Sequence, residues 1–137
     1  LMNETYKLSN GVEIPKLGLG TWLLDDGQAI QAVRDAVSIG YRHIDTAQAY
    51  MNEAGVGEGI RSCGVARAEL FVTIKVAAEA KTYDAATQSI DESLAKLGLD
   101  YIDLLIIHSP QPWMEFREEN RYFEENKTIF RSNKSFC

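Results

Sequence analysis

Basic charge, cysteine, histidine and long apolar runs are all in short supply in this chain. Lysine and arginine number 14 against 20 aspartates and glutamates, a net charge of −6. That balance gives no basic patch for nucleic acid or phospholipid. Two cysteines, Cys63 and Cys137, make no disulfide framework, and a reducing compartment is the expected setting. No stretch approaches the roughly 18 apolar residues of a membrane span. The opening "LMNETYKLSN" lacks the charged-then-apolar layout of a signal peptide, so a cytoplasmic location is expected. With only two histidines, His43 and His108, and no His-x-His pair, a tight metal cluster has few ligands to draw on.

What is present is an ordinary globular composition, 45% apolar and 25% charged over 137 residues. The chain alternates strand and helix patterns. "YKLSNGVEIP" reads as a hairpin around Asn10-Gly11, a pair suited to a type I′ turn. "KLGLG" is a short strand ending at Gly20. Asp26 is the expected cap of a helix with Ile30, Val33 and Val37 on one face, closed by Gly40. "RHID" is the next strand, followed by a helix from about Asn52 to Ser62. "LFVTIK" is the third strand, and Tyr83–Leu97 the best-patterned helix, with Ala86, Ile90, Leu94 and Leu97 at helical spacing and Gly98 as its stop. "YIDLLIIH" is a nearly continuous apolar run, as expected when both sheet faces are covered. Strands separated by helices imply a parallel sheet with right-handed crossovers. Beyond Pro112 the periodicity fails and the chain ends in a polar tail.

Three of these strands end in ionisable residues: Asp45, Lys75 and His108. In a parallel sheet those ends share one edge, the edge on which a β/α barrel carries its active site. Tyr50 follows Asp45 in the next loop and can lean over the same mouth. Taken singly, each has a plain structural role. Asp45 suits a turn or cap, Lys75 a solvated strand end, Tyr50 a packing position and His43 a hydrogen-bonded core site. Taken together they suggest chemistry. An ammonium beside a phenol stabilises the phenolate left after proton donation, a carboxylate holds the ammonium in place, and an imidazole can orient a carbonyl oxygen. Such a set suits reduction of a carbonyl by a hydride donor.

These residues carry a resemblance. "GYRHIDTAQAYMNEAGVG", with Glu53 and then Val56-Gly57, resembles the aldo-keto reductase signature. "LFVTIK" is similar to that family's lysine strand, "LGLDYIDLLIIHSP" to its histidine strand and "IPKLGLGTW" to its first strand, so the resemblance covers residues 5 to about 126. It implies the N-terminal half of a (β/α)8 TIM barrel with a leading β-hairpin and about four βα units, residues 1–137 forming a partial domain whose tail, about 127–137, is atypical. It implies an NADPH-dependent oxidoreductase that turns aldehydes or ketones into alcohols. Tyr50 is then the proton donor, Asp45 and Lys75 its partners and His108 the carbonyl-orienting group. Gly20, Thr21 and Trp22, with Asp45, would meet the nicotinamide, and Trp22, Tyr50 and His108 the small-molecule carbonyl substrate. The family is usually monomeric, whereas a half-barrel exposes sheet edges and is expected to self-associate. Two departures touch the substrate pocket: Val76-Ala77-Ala78 follow the lysine where an aromatic is frequent, and Ser109 follows the histidine in place of tryptophan. Trp113 is a candidate substitute for that surface.

Three other readings compete. A Rossmann dehydrogenase needs G-x-G-x-x-G after a strand, but "GLGTW" lacks the third glycine and "GVGEGI" falls in a helical stretch. A metal-dependent barrel hydrolase would use His43, Asp45 and His108 as ligands, with Lys75 repelling the cation. The third is a truncated or frame-shifted, catalytically inactive reductase, since a complete barrel takes about 250 residues.

Overall fold

The structure is a computed structural model that describes residues 2–109. Trp113 and the tail at 127–137 lie outside the described residues. The first pair of strands, β1 (Thr5–Lys7) and β2 (Glu13–Pro15), forms an antiparallel hairpin. Its turn is not the expected type I′. Leu8 accepts from Gly11 N–H at 2.9 Å and donates to Val12 at 2.8 Å, and only Gly11 has positive φ, at 86°. This is a three-residue loop closed by a glycine bulge. Asn10 stays at negative φ and uses its side chain to accept from Val12 N–H instead.

The main sheet has four parallel strands in the order β3 (Leu19–Gly20), β4 (His43–Asp45), β5 (Phe71–Val76) and β6 (Leu104–Ile107). Helices α1 (Asp26–Ser38), α2 (Glu53–Ser62) and α3 (Tyr83–Leu97) connect them. The cap of α1 is Asp25 rather than Asp26: it accepts from Gln28 N–H, and the Gln28 side chain returns a bond to the Asp25 backbone. Asp26 takes another task and accepts from Gly55 N–H at 2.8 Å, tying α1 to the start of α2. Thr82 caps α3, and Gly98, at φ 62°, ends it in the left-handed conformation that favours glycine.

Alternation along the strands divides the sheet into two faces. Ile44, Val72 and Ile74 are buried toward the helices, in one cluster with Val33, Val37, Val56, Ile60 and Leu97. Each such side chain contributes about 1.5–3 kcal/mol by burial. α2 sits between its neighbours at unusually close range. A Cβ on Gly55 would overlap the backbone of Asp26, and one on Gly57 the backbone of Leu97. The opposite face of the sheet carries His43, Asp45, Phe71, Thr73 and Lys75. The hairpin lies against it, with Tyr6, Ile14 and Pro15 lining a cavity of about 480 Å³ together with His43, Asp45, Tyr50 and Lys75.

The fourth strand departs from expectation. Its apolar run predicted cover on both faces, yet Leu105, Ile106 and Ile107 are 41%, 40% and 64% exposed. β6 is the edge of the sheet among the described residues, so it pairs with β5 alone. By contrast every residue of β5, which has a neighbour on each side, is buried.

Candidate active site

Register brings the ionisable strand ends together. Asp45 pairs with Thr73, and Lys75 lies two residues further along the same face of β5. From there the Lys75 ammonium reaches back to three acceptors. It donates to Asp45 Oδ1, to the Thr46 carbonyl at 3.2 Å and to the Tyr50 hydroxyl at 3.2 Å. Lys75 is 9% exposed, so its charge is satisfied by these partners and largely shielded from water. The ammonium also stands 4.9 Å from the centre of the Tyr50 ring.

Tyr50 is presented by a 3-10 turn, Gln48–Tyr50, immediately after β4. Met51 at φ 60° closes that turn and redirects the chain into α2. The Tyr50 ring meets His108 edge-on, with centroids 5.7 Å apart and planes at 85°. His108 lies one residue past β6, and its backbone N–H donates to Val76 at 2.9 Å, extending the ladder by one step. All four residues singled out in the sequence therefore meet at one end of the sheet.

The other named residues divide. Gly20 pairs with Asp45 at the end of β3, and the space where its Cβ would sit is open. Trp22 is 68% exposed at the same end of the sheet. Thr21, expected at the cofactor surface, is wholly buried: its hydroxyl donates to Thr46 Oγ1 at 2.9 Å. It is a positioning group in a polar lock completed by Asn52. Asn52 Nδ2 donates to the carbonyls of Thr21 at 2.7 Å and Leu24 at 2.9 Å, and its Oδ1 accepts from Thr46 at 3.5 Å. The lock fixes the loop after β3 to the loop after β4.

His43 is the core histidine that its sequence position suggested. Its Nε2 bonds Thr73 Oγ1 at 2.9 Å and its Nδ1 faces the Pro15 carbonyl at 3.4 Å. Burial lowers its pKa, against the opposing pull of the Pro15 carbonyl and Asp45. As ligands for a metal-dependent hydrolase, His43 and Asp45 are already committed to Thr73 and Lys75.

Sequence reasoning passed over Gln48 and Asn52. Gln48 accepts from Ala77 N–H at 2.9 Å and donates to Ser93 Oγ at 2.9 Å and to the Ser89 carbonyl at 2.6 Å. Glu53 is buried close by, and burial raises its pKa against the opposing influence of Ser93 and Lys96. The available signal was Ser89 and Ser93, four apart and flanking the apolar stripe of α3.

The open space at Gly20 and the exposed Trp22 indole leave room at this edge for a flat, partly apolar ring such as nicotinamide. Gly20, Trp22 and Asp45 are the residues that would hold it.

Known proteins resemble the chain over most of its length. Over 103 residues, 75% of this chain, it is 52% identical to morphine 6-dehydrogenase of Pseudomonas putida, covering 35% of that protein. It is 46% identical over 107 residues, 78% of this chain, to glycerol 2-dehydrogenase (NADP(+)) of Saccharomyces cerevisiae, covering 34% of it. The chain thus spans about a third of the length of these curated relatives. A crystal structure of an aldo/keto reductase from Brucella melitensis superposes with a TM-score of 0.78 and 42% identity, over 96% of this chain and 48% of that one. The four-stranded sheet and its helices thus have the fold of part of a (β/α)8 barrel. The sequence profile of the aldo/keto reductase family matches residues 16–128, and the chain belongs to that family.

Proposed function

We propose that the chain carries the proton-donating site of an NADPH-dependent reductase that converts aldehydes or ketones into alcohols. The observation that carries this reading is the Lys75 ammonium, shared between the Asp45 carboxylate and the Tyr50 hydroxyl at 3.2 Å. Bound NADPH would supply hydride chemistry at the carbonyl carbon. As that carbon becomes tetrahedral, negative charge gathers on the oxygen, and the Tyr50 hydroxyl gives its proton there. Lys75 then stabilises the phenolate without moving, because Asp45 and the Thr46 carbonyl already hold it. His108, whose ring meets Tyr50 edge-on, is the group assigned to orient the same oxygen. The product is the alcohol, and the phenolate is reprotonated from water.

The test is Tyr50→Phe, made both in this chain and in the chain joined to the C-terminal half of a family member. Methylglyoxal and NADPH serve as probes. Loss of the donor lowers kcat by about 10²- to 10⁴-fold while cofactor binding is retained. Equal turnover by the Phe variant removes Tyr50 from the mechanism.

A further inference from the structure

We propose that Gln48 is a positioning residue for the proton donor, tying the turn that carries Tyr50 to the end of the lysine strand and to α3. The proposal rests on the reading of Tyr50 and Lys75 given above.

Tyr50 and Lys75 are 25 positions apart in sequence, yet their polar atoms must stay at 3.2 Å for the phenolate to be stabilised. Each is reached from Gln48 by a short path. Gln48 opens the 3-10 turn, two residues before Tyr50. The backbone N–H that its Oε1 accepts belongs to Ala77, two residues after Lys75. A single side chain therefore bridges the two segments whose relative placement sets the donor geometry.

The amide is also fixed at its other end. Nε2 has two N–H groups; one meets Ser93 Oγ and the other Ser89, through its carbonyl and hydroxyl. With its donors and its acceptor engaged, the side chain is held in one orientation. Gln48 thus anchors to α3 at two points one helical turn apart, Ser89 and Ser93. The network therefore links the loop after β4, the loop after β5 and α3.

Further ties hold the Tyr50 loop on either side of the turn. Thr46 N–H bonds Thr73 at 3.0 Å upstream, and Asn52 bonds the loop after β3 downstream. Gln48 holds the middle of the loop, at the turn itself.

The test reads geometry and turnover separately. In the 137-residue chain with 13Cζ-labelled tyrosine, the Tyr50 resonance is assigned by its loss in Tyr50→Phe. Lys75→Met moves it, because the ammonium is gone, and Gln48→Ala moves it in the same direction. In the chain completed as above, Gln48→Ala lowers kcat by about 10²-fold with KM unchanged, as expected for a misplaced catalytic group. Gln48→Glu keeps the acceptor for Ala77 and loses the donor to α3. It gives a smaller resonance shift, and it replaces the Ala variant if that one loses cooperative unfolding. A Tyr50 resonance unmoved in the Gln48 variants but moved by Lys75→Met overturns the proposal. A resonance unmoved by Lys75→Met overturns the Tyr50–Lys75 reading on which the proposal rests.

Discussion

Replacing Asn52 with leucine tests whether the two loops at the site edge are locked by one side chain. Asn52 is 1% exposed, and leucine has the same branched outline with bulkier methyl ends, so the change removes polar partners without opening a void. The losses differ in weight. The Thr21 carbonyl gives up its 2.7 Å bond but keeps a weak one from Leu24 N–H at 3.4 Å. The Leu24 carbonyl gives up its 2.9 Å bond at a position that water partly reaches. The Thr46 hydroxyl loses only a 3.5 Å contact and retains Thr21. An orphaned buried acceptor costs about 1–3 kcal/mol. With one carbonyl partly rescued and the other partly wet, the sum is about 2–4 kcal/mol. Urea unfolding should show that loss as a lower midpoint at unchanged slope, and thermal unfolding as a fall of about 5–15 °C. Thr46→Val on top of Asn52→Leu should add less than it does alone, since the two share a bond. A loss below about 0.5 kcal/mol, the range of ordinary surface substitutions, would refute the lock.

Two further outcomes concern stability. Glu53 has a folded pKa raised above its ordinary 4.5, so its contribution is fully present below the unfolded value and is lost as pH rises through the folded one. Glu53→Gln should flatten that decline, and urea midpoints from pH 4 to 8 will show a crossing of the two profiles if the sign is right. Gly57→Ala gains helix propensity of about 1 kcal/mol, yet its methyl would overlap the Leu97 backbone, so a net loss of stability is expected by the same measurement.

Much of this arrangement was legible before any coordinates. The helix Tyr83–Leu97 was bounded correctly because Gly98 and the apolar spacing agree on its end. The convergence of Asp45, Lys75 and His108 followed from parallel strands alone. What escaped was decided by partners distant in sequence. Asp26 is the expected cap, but it is bonded to Gly55, 29 positions away, and Asp25 takes the capping role. Thr21 looked like a ligand-facing residue until its neighbour Thr46 was placed beside it. Gln48 carries no chemistry of its own, so no motif flags it, and its value lies wholly in joining three segments.

The order of the strands in the sheet, β3-β4-β5-β6, is also their order along the chain. Each new strand therefore docks on the one made just before it, closing loops of modest length at modest entropic cost. During synthesis, where N-terminal segments fold first, this implies a sequence of assembly for the site. Asp45 and Tyr50 arrive together and wait for Lys75, which is 30 positions behind Asp45. Their mutual bonds can close as soon as β5 pairs with β4, before β6 exists. His108 is added last, to a donor whose partners are already in place.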